Sequence, residues 1–525
     1  MTADVLIVGA GPSGSAAALE LARQGARVVV VEKAVFPREK TCGDGLTPRA
    51  IASLSDLGID IAREPSIRHV VVTQTMNRSN GCTLELVGDG IATTLPRSVL
   101  DARVAEGATS AGASIRFATS VESIIVDGAS VKGVVTRNPN GSVERLTAPV
   151  TLLGEGSVGK LRSQAPLREI SGVHRCFAIR RYWEGVEFDS RESSYEITFP
   201  LESKGYPLVG YGWVFPLGDG IANVGVGYFT LGEVDTRLNS LLDEFEASLV
   251  TLDSRFASAE PIGRPAGAPI RIGGSGASSH CDGLLLVGDA AGLANPLSAE
   301  GISQALESGQ LAARIAAEHL NSGVSLASYG DALKAWDPTY DRLAASLPSV
   351  YRNAQNLSRD AVALFNSSTS TGRAVFGMLY AQIRPRKPST DFQRQSEIDC
   401  VAETIQLRAR ELATRERPFF SEFLDQLERL EDCPQSLAPV YLSARPHAAS
   451  ATLESKSVRT VGVCLELLRF ASFVIGDIDI EIDEPLPGGA RGGGWLSATL
   501  GLGFGDRMLA RSFTLMSRLD RDLRI

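Results

Sequence analysis

Histidine is scarce in this 525-residue chain, and paired cysteine, an excess of positive charge and a long apolar run are all missing. Its five histidines and seven cysteines are scattered and contain no C-x-x-C pair, so neither a zinc site nor a disulfide framework is expected. A reducing cytoplasm suits such thiols. Lys plus Arg number 52 against 61 Asp plus Glu, a net charge of −9, which disfavours nucleic acid because duplex binding draws on a basic face. The most apolar late stretch, Val461 to Ile475, is broken by Glu466 and Arg469 and cannot span a bilayer. The start, MTADVLIVGAG, lacks the basic region and cleavage site of a secretion signal. At roughly 150 residues per domain, the length suggests about three units.

Glycine, by contrast, is abundant, with 52 residues. Val5 to Val8 forms a short β-branched run, followed by Gly9-Ala10-Gly11-Pro12-Ser13-Gly14 and an alanine-rich helical pattern to Arg23. Gly25 ends that helix, and Arg27 to Val31 makes a second apolar strand closed by Glu32. The spacing is that of a dinucleotide-binding βαβ unit. Gly9 allows the tight turn, Gly11 lets backbone approach a pyrophosphate, and Gly14 lets the helix pack on the strand. The helix N-terminus offers free amides to phosphate, and Glu32 can accept hydrogen bonds from an adenosine ribose. From Val70 to about Pro200 short alternating strands dominate, with a turn at Asn138-Pro139-Asn140-Gly141.

A second constellation is a buried strand, Leu284 to Val287, ending in Gly288-Asp289 and leading through Asn295-Pro296 to Gly301-Ile302 and a long helix. An aspartate at that strand end suits a ribityl or ribose hydroxyl, and a helix-start glycine exposes amides to an electron-rich ring edge. With Arg97-x-x-Leu100-Asp101, these segments resemble the flavoprotein class of para-hydroxybenzoate hydroxylase, squalene epoxidase and the geranylgeranyl reductases. One departure is Gly154-Glu155-Gly156-Ser157, where the class has Asp-Gly, and Glu155 is left out of the expected site.

Within that class, Phe36-Pro37-Arg38-Glu39-Lys40-Thr41-Cys42-Gly43-Asp44-Gly45-Leu46-Thr47-Pro48-Arg49-Ala50 resembles the signature of geranylgeranyl reductases, nearest to the bacterial branch that saturates the menaquinone side chain. Tyr211-Gly212-Trp213-Val214-Phe215-Pro216, followed by Asn223, Gly225 and Gly227, is similar to their Y-x-W-x-F-P element, whereas a tryptophan halogenase would show W-x-W-x-I-P. The resemblance covers about residues 1 to 380. It implies an α/β FAD-binding, Rossmann-like domain of glutathione-reductase type (1–70, 97–165, 276–325). Interleaved with this is an antiparallel-sheet substrate domain (71–96, 166–275), followed by a helical extension (326–390).

The resemblance also implies FAD contacts from Ser13, Glu32, Cys42, Gly43, Gly45, Arg97, Val121, Asp289, Gly301 and Ile302, beside Gly9, Gly11 and Gly14 of the fingerprint. Cys42 is the candidate catalytic residue. Tyr211 and Trp213, alternating on one strand face, would line an apolar substrate cavity. The implied reaction is reduction of carbon–carbon double bonds in a geranylgeranyl, polyprenyl or isoprenoid-quinone chain by hydride from reduced flavin, with no metal. The alternative is an FAD-dependent hydroxylase or epoxidase in natural-product tailoring. The chain has no second strand-led G-x-G-x-x-G, so electrons would come from transiently bound NADPH or an electron-transfer protein.

Residues 391–525 form a mostly helical appendage. Val458 to Phe473 with Gly476-Asp477-Ile478-Asp479, and Gly505 to Arg511, resemble part of a trans-polyprenyl diphosphate synthase. Gly476 stands where the first metal-binding aspartate is expected and no second cluster follows, so prenyl transfer is not expected. A docking or self-association module, or one contacting a prenyl synthase, is. The expected partner is a hydrophobic small molecule or lipid, with peripheral membrane contact aided by the basic, apolar run 373–387.

Overall fold

The computed structural model describes residues 3–61, 66–67, 69–73, 82–85, 92–167, 174–188, 194–198, 201–203, 206–208, 210–230, 238–274, 278–296, 298–337, 340 and 344. All lie in the first of two units into which the chain divides, residues 1–356 with 382–386. The expectations for 391–525 and for the 373–387 run fall outside the described residues.

A six-stranded sheet forms the base. Its order is His280–Cys281, Leu284–Leu286, Val150–Leu153, Val5–Val8, Val28–Val31 and Ser114–Arg116, parallel except for the first pair. Val5–Val8, Val28–Val31 and Val150–Leu153 are buried at every position. Strands covered on both faces need no polar alternation, which is why the sequence there is continuously apolar. Helix Pro12–Arg23 packs on the long helix Ile302–Ser322 closely enough that a Cβ on Gly309 would lie 2.2 Å from the Ser13 carbonyl oxygen. Helix Arg97–Ser110 flanks helix Pro12–Arg23. A small antiparallel sheet of Ser120–Asp127, Ser130–Arg137 and Val143–Thr147 is appended, its second hairpin closing at the Asn138–Gly141 turn.

The second layer is a seven-stranded sheet in the order Glu260–Ile272, His174–Glu184, Ile221–Thr230, Gly210–Gly218, Ser194–Thr198, His69–Thr73 and Cys82–Glu85. It is antiparallel apart from the Ser194–Thr198/His69–Thr73 pair. Helix Leu238–Leu252 covers one face, with Leu241, Leu242, Phe245 and Leu249 packed on Ile179, Val214, Val224 and Val226. Residues of the opposite face line a cavity together with the glycine turn of the base sheet.

Candidate functional site

The glycine turn follows from its strand. Gly9 has φ +93°, and a Cβ there would come within 2.5 Å of the Gly154 carbonyl oxygen on the neighbouring strand. Only glycine tolerates both. Gly14 sits one helical turn on, where a Cβ would stand 1.9 Å from the Gly9 carbonyl oxygen. Glu32, almost fully buried, ties the turn from the next strand: its Oε2 accepts from the Ala10 amide at 2.8 Å and its Oε1 from Ala34 at 2.9 Å. A carboxylate has about four acceptor positions, so Glu32 retains capacity toward the cavity it lines.

Asp101 organises two arginines. One helical turn after Arg97, it accepts a bidentate pair from that guanidinium at 2.7 and 2.9 Å. It also pairs with Arg38 Nη2 at 2.9 Å. Arg38 leans on the Phe36 ring at 4.8 Å, and its Nη2 is the atom that a Cβ on Gly11 would meet first, at 3.8 Å. Its Nη1 is buried with no hydrogen-bond partner among the described residues. Arg38 stands within the Phe36–Ala50 signature but is not among the site residues expected from the sequence. The only signal was a basic residue shortly after the second strand.

The loop at Cys42–Asp44 is fixed from the seven-stranded sheet. Asn223, fully buried, donates from Nδ2 to the Cys42 carbonyl and to Asp44 Oδ2, each at 2.9 Å, and its Oδ1 accepts from the Trp213 indole at 3.0 Å. Tyr182 also donates to Asp44 Oδ2, at 2.7 Å, and the Arg97 amide donates to Oδ1 at 3.3 Å. Burial pushes the Asp44 carboxyl above the usual range, opposed by the bonds from Tyr182 and Asn223. Tyr211, Trp213 and Phe215 alternate along Gly210–Gly218, their rings spaced 6.0 and 6.1 Å apart in sequence. A Cβ on Gly43 would lie 3.4 Å from both the Trp213 and Phe215 rings, so glycine keeps this gap open. The Tyr211 hydroxyl donates to the Ser298 carbonyl at 2.6 Å. Burial raises the Cys42 pKa, which keeps the group a neutral thiol near pH 7.

On the far side Asp289 lies in the turn Gly288–Ala290, after the strand Leu284–Leu286. A Cβ on Gly301 would be 3.2 Å from its Oδ1. Burial raises its pKa, and the positive charges of Lys40, Arg97 and Arg271 counter this. The Glu155 departure has a structural reason: its longer side chain accepts the Leu161 and Arg162 amides, both at 2.9 Å, and so caps the short turn Leu161–Gln164. Glu155 also lines the cavity.

These groups surround one cavity of about 870 Å³. Gly9, Gly11, Ser13, Glu32, Cys42, Gly43, Gly45, Arg97, Val121, Asp289, Gly301, Ile302, Tyr211 and Trp213 all contribute to its wall. Gly14 does not, because it is spent on the contact between helix and turn. Val121 enters from the small antiparallel sheet, in register with Thr136.

Comparison with known proteins identifies the family. Residues 2–212 match the FAD binding domain family. The chain is 36% identical over 327 residues to the menaquinone reductase of Mycolicibacterium smegmatis, covering 60% of this chain and 76% of that one. It is 29% identical over 335 residues to digeranylgeranylglycerophospholipid reductase 2 of Methanopyrus kandleri, covering 63% and 80%. The chain belongs to the family of FAD-dependent oxidoreductases that contains these reductases. Its fold matches that of a geranylgeranyl bacteriochlorophyll reductase-like protein from Thermoplasma acidophilum, with a TM-score of 0.62 and 22% identity over 77% of this chain and 96% of that one.

The residues of this flavoenzyme fit FAD. The orphaned Arg38 Nη1 beside the open helix N-terminus matches a pyrophosphate, and the acidic Glu32 and Asp289 match hydroxyl donors at two separated points. The gaps kept by Gly43 and Gly301 admit a flat ring between loop and sheet.

Proposed function

We propose that this flavoenzyme saturates carbon–carbon double bonds of a prenyl or isoprenoid chain. The observation that carries this reading is the aromatic wall of Tyr211, Trp213 and Phe215 facing the Cys42–Gly43 loop in the cavity shared with the glycine turn. Reductase-named relatives covering three-quarters of their length support it. Bound FAD, once reduced, supplies a hydride to one alkene carbon while a proton reaches the other. An isolated alkene has no carbonyl to polarise, so the chain's own task is to orient it and exclude water. Asn223 holds loop and wall in one geometry, and the aromatic rings present apolar surface to the substrate. The Tyr211 hydroxyl proton is committed to Ser298, which makes this side chain a wall rather than an acid. Electrons would arrive from NADPH or an electron-transfer protein.

A lipid substrate supports peripheral membrane contact; no helix among the described residues is long and apolar enough to cross a bilayer. For residues 391–525 we propose self-association or docking of a prenyl-synthase-like partner. The decisive experiment incubates dithionite-reduced enzyme with prenyl substrates under strict anaerobiosis and analyses products by mass spectrometry. Gain of hydrogen at the prenyl alkene is expected. Oxygen-dependent hydroxylation with no anaerobic saturation would instead establish the monooxygenase reading.

A further inference from the structure

Arg180 and Arg181 are adjacent in the strand His174–Glu184, and alternation sends them to opposite faces of the sheet. Arg181 meets Glu246 of helix Leu238–Leu252 in a bidentate pair. Arg180 faces the cavity, and among the described residues that the seven-stranded sheet gives to the cavity wall it is the single charged side chain. It is 7% exposed, and its Nε has no hydrogen-bond partner among the described residues. Its guanidinium lies 4.0 Å over the Tyr182 ring, the same tyrosine whose hydroxyl is fixed on Asp44. Among the described residues its one ion pair is with Glu39, at 3.5 Å from Nη2, and the Glu39 side chain is 71% exposed; the buried Asp44 carboxylate also attracts it electrostatically, without a hydrogen bond between them.

A guanidinium stays protonated at any accessible pH, and removing it from water costs several kcal/mol unless an anion meets it. Arg97 and Arg49 meet that anion in bidentate hydrogen bonds, from Asp101 and Glu307, whereas Asp44 acts on Arg180 only through space. Glu39 is too solvated to serve equally, because exposed pairs contribute little. Stacking on Tyr182 holds the planar fork in place, with Nε left over to donate. A fork with an unpartnered Nε, beside an Nη2 held only by an exposed carboxylate, matches the oxygens of a phosphate.

We propose that Arg180 is an oxyanion subsite that receives a phosphate group of a molecule entering the cavity, with the Glu39 carboxylate as the displaceable occupant of its fork. The phosphate belongs either to a nicotinamide dinucleotide or to a prenyl phosphate, and the probes distinguish these. The proposal concerns binding, and is measured without turnover, so it stands or falls apart from alkene reduction.

Calorimetric titration of the oxidised, FAD-loaded full chain would use NADPH, geranyl phosphate, geraniol as its phosphate-free counterpart, and inorganic pyrophosphate as competitor. Arg180→Met should weaken a phosphate-bearing probe by about tenfold or more, the value of a charged hydrogen bond, leaving geraniol affinity and FAD content unchanged. Glu39→Gln, at an exposed position, should tighten the same probe. Loss confined to NADPH assigns the subsite to the reductant, and loss confined to geranyl phosphate assigns it to the substrate. Unchanged affinity for both phosphate probes in Arg180→Met overturns the proposal, as does loss of FAD with probe affinity intact. If Arg180→Met is not recovered folded, Glu39→Gln decides: tightening that pyrophosphate competes away supports the subsite, and unchanged affinity overturns it.

Discussion

Asp289 shows what a single residue contributes to this site and what it costs. Its carboxylate is buried at the cavity wall, where burial raises its pKa. A raised carboxyl pKa in the folded state is a stability penalty in the flavin-free protein. The penalty is absent below the ordinary aspartate value near 3.8 and grows as pH rises through the raised one. Flavin hydroxyls would offset it by donating to the charged form. Asp289→Asn should therefore melt above the wild type when both are flavin-free. The gap should widen from pH 4 to pH 7, while the variant purifies with little FAD. Calorimetry with absorbance at 450 nm checks both halves. A variant that keeps full yellow occupancy would contradict the assignment. At this scale Asp289 was legible because it ends an apolar strand next to glycines. Arg38 was not, since nothing in the local pattern shows that its Nη1 is left without a partner.

Among the elements, the long helix Ile302–Ser322 does most to hold the base layer together. Glu307 on this helix makes a bidentate pair, both distances 2.8 Å, with the buried Arg49 of helix Pro48–Asp56. The Trp336 indole of helix Ser328–Trp336 donates to the same carboxylate at 2.7 Å, and its ring lies against the Arg49 guanidinium at 5.2 Å. Three helices thus share one polar knot. Glu307→Ala would leave the buried Arg49 with only the longer Asp337 contact at 3.9 Å, and a loss of about 3 kcal/mol, the low end for breaking a buried pair, is expected in chemical denaturation. The double variant Arg49→Met/Glu307→Leu should recover most of it. A small loss in the single variant would show that water reaches Arg49. The long helix was readable from Gly301-Ile302, whereas the helix at Pro48 emerges from the structure, its start capped by a bond from the Ala50 amide to Thr47 Oγ1 at 3.2 Å. The knot was not readable, because Arg49 and Glu307 lie 258 residues apart.

At the largest scale, the described residues close two sheets on one cavity, with the glycine turn, the Cys42 loop, the Asp289 turn and the aromatic wall drawn from distant stretches of chain. A dinucleotide that touches all of them should stabilise the fold by mass action. Free FAD at a hundred times its Kd contributes about 2.7 kcal/mol, which is several degrees in Tm. FMN leaves the glycine turn and Glu32 uncontacted and should shift the flavin-free protein much less. Equal shifts would mean that the adenosine half is not bound where the turn lies.

Sequence alone determined what depends on near neighbours. The continuous valines require strands buried on both faces, Gly9 requires a left-handed turn, and the Arg97/Asp101 spacing places both on one helical face. Tertiary structure decided what depends on approach between distant segments. It gave Asn223 three partners, spent Gly14 on packing and Glu155 on a cap, and left Arg180 as a charge within the otherwise uncharged wall that the seven-stranded sheet gives to the cavity. The physical reason is that periodicity and backbone conformation are local properties. Whether a buried polar group finds a partner is fixed only when the sheets close.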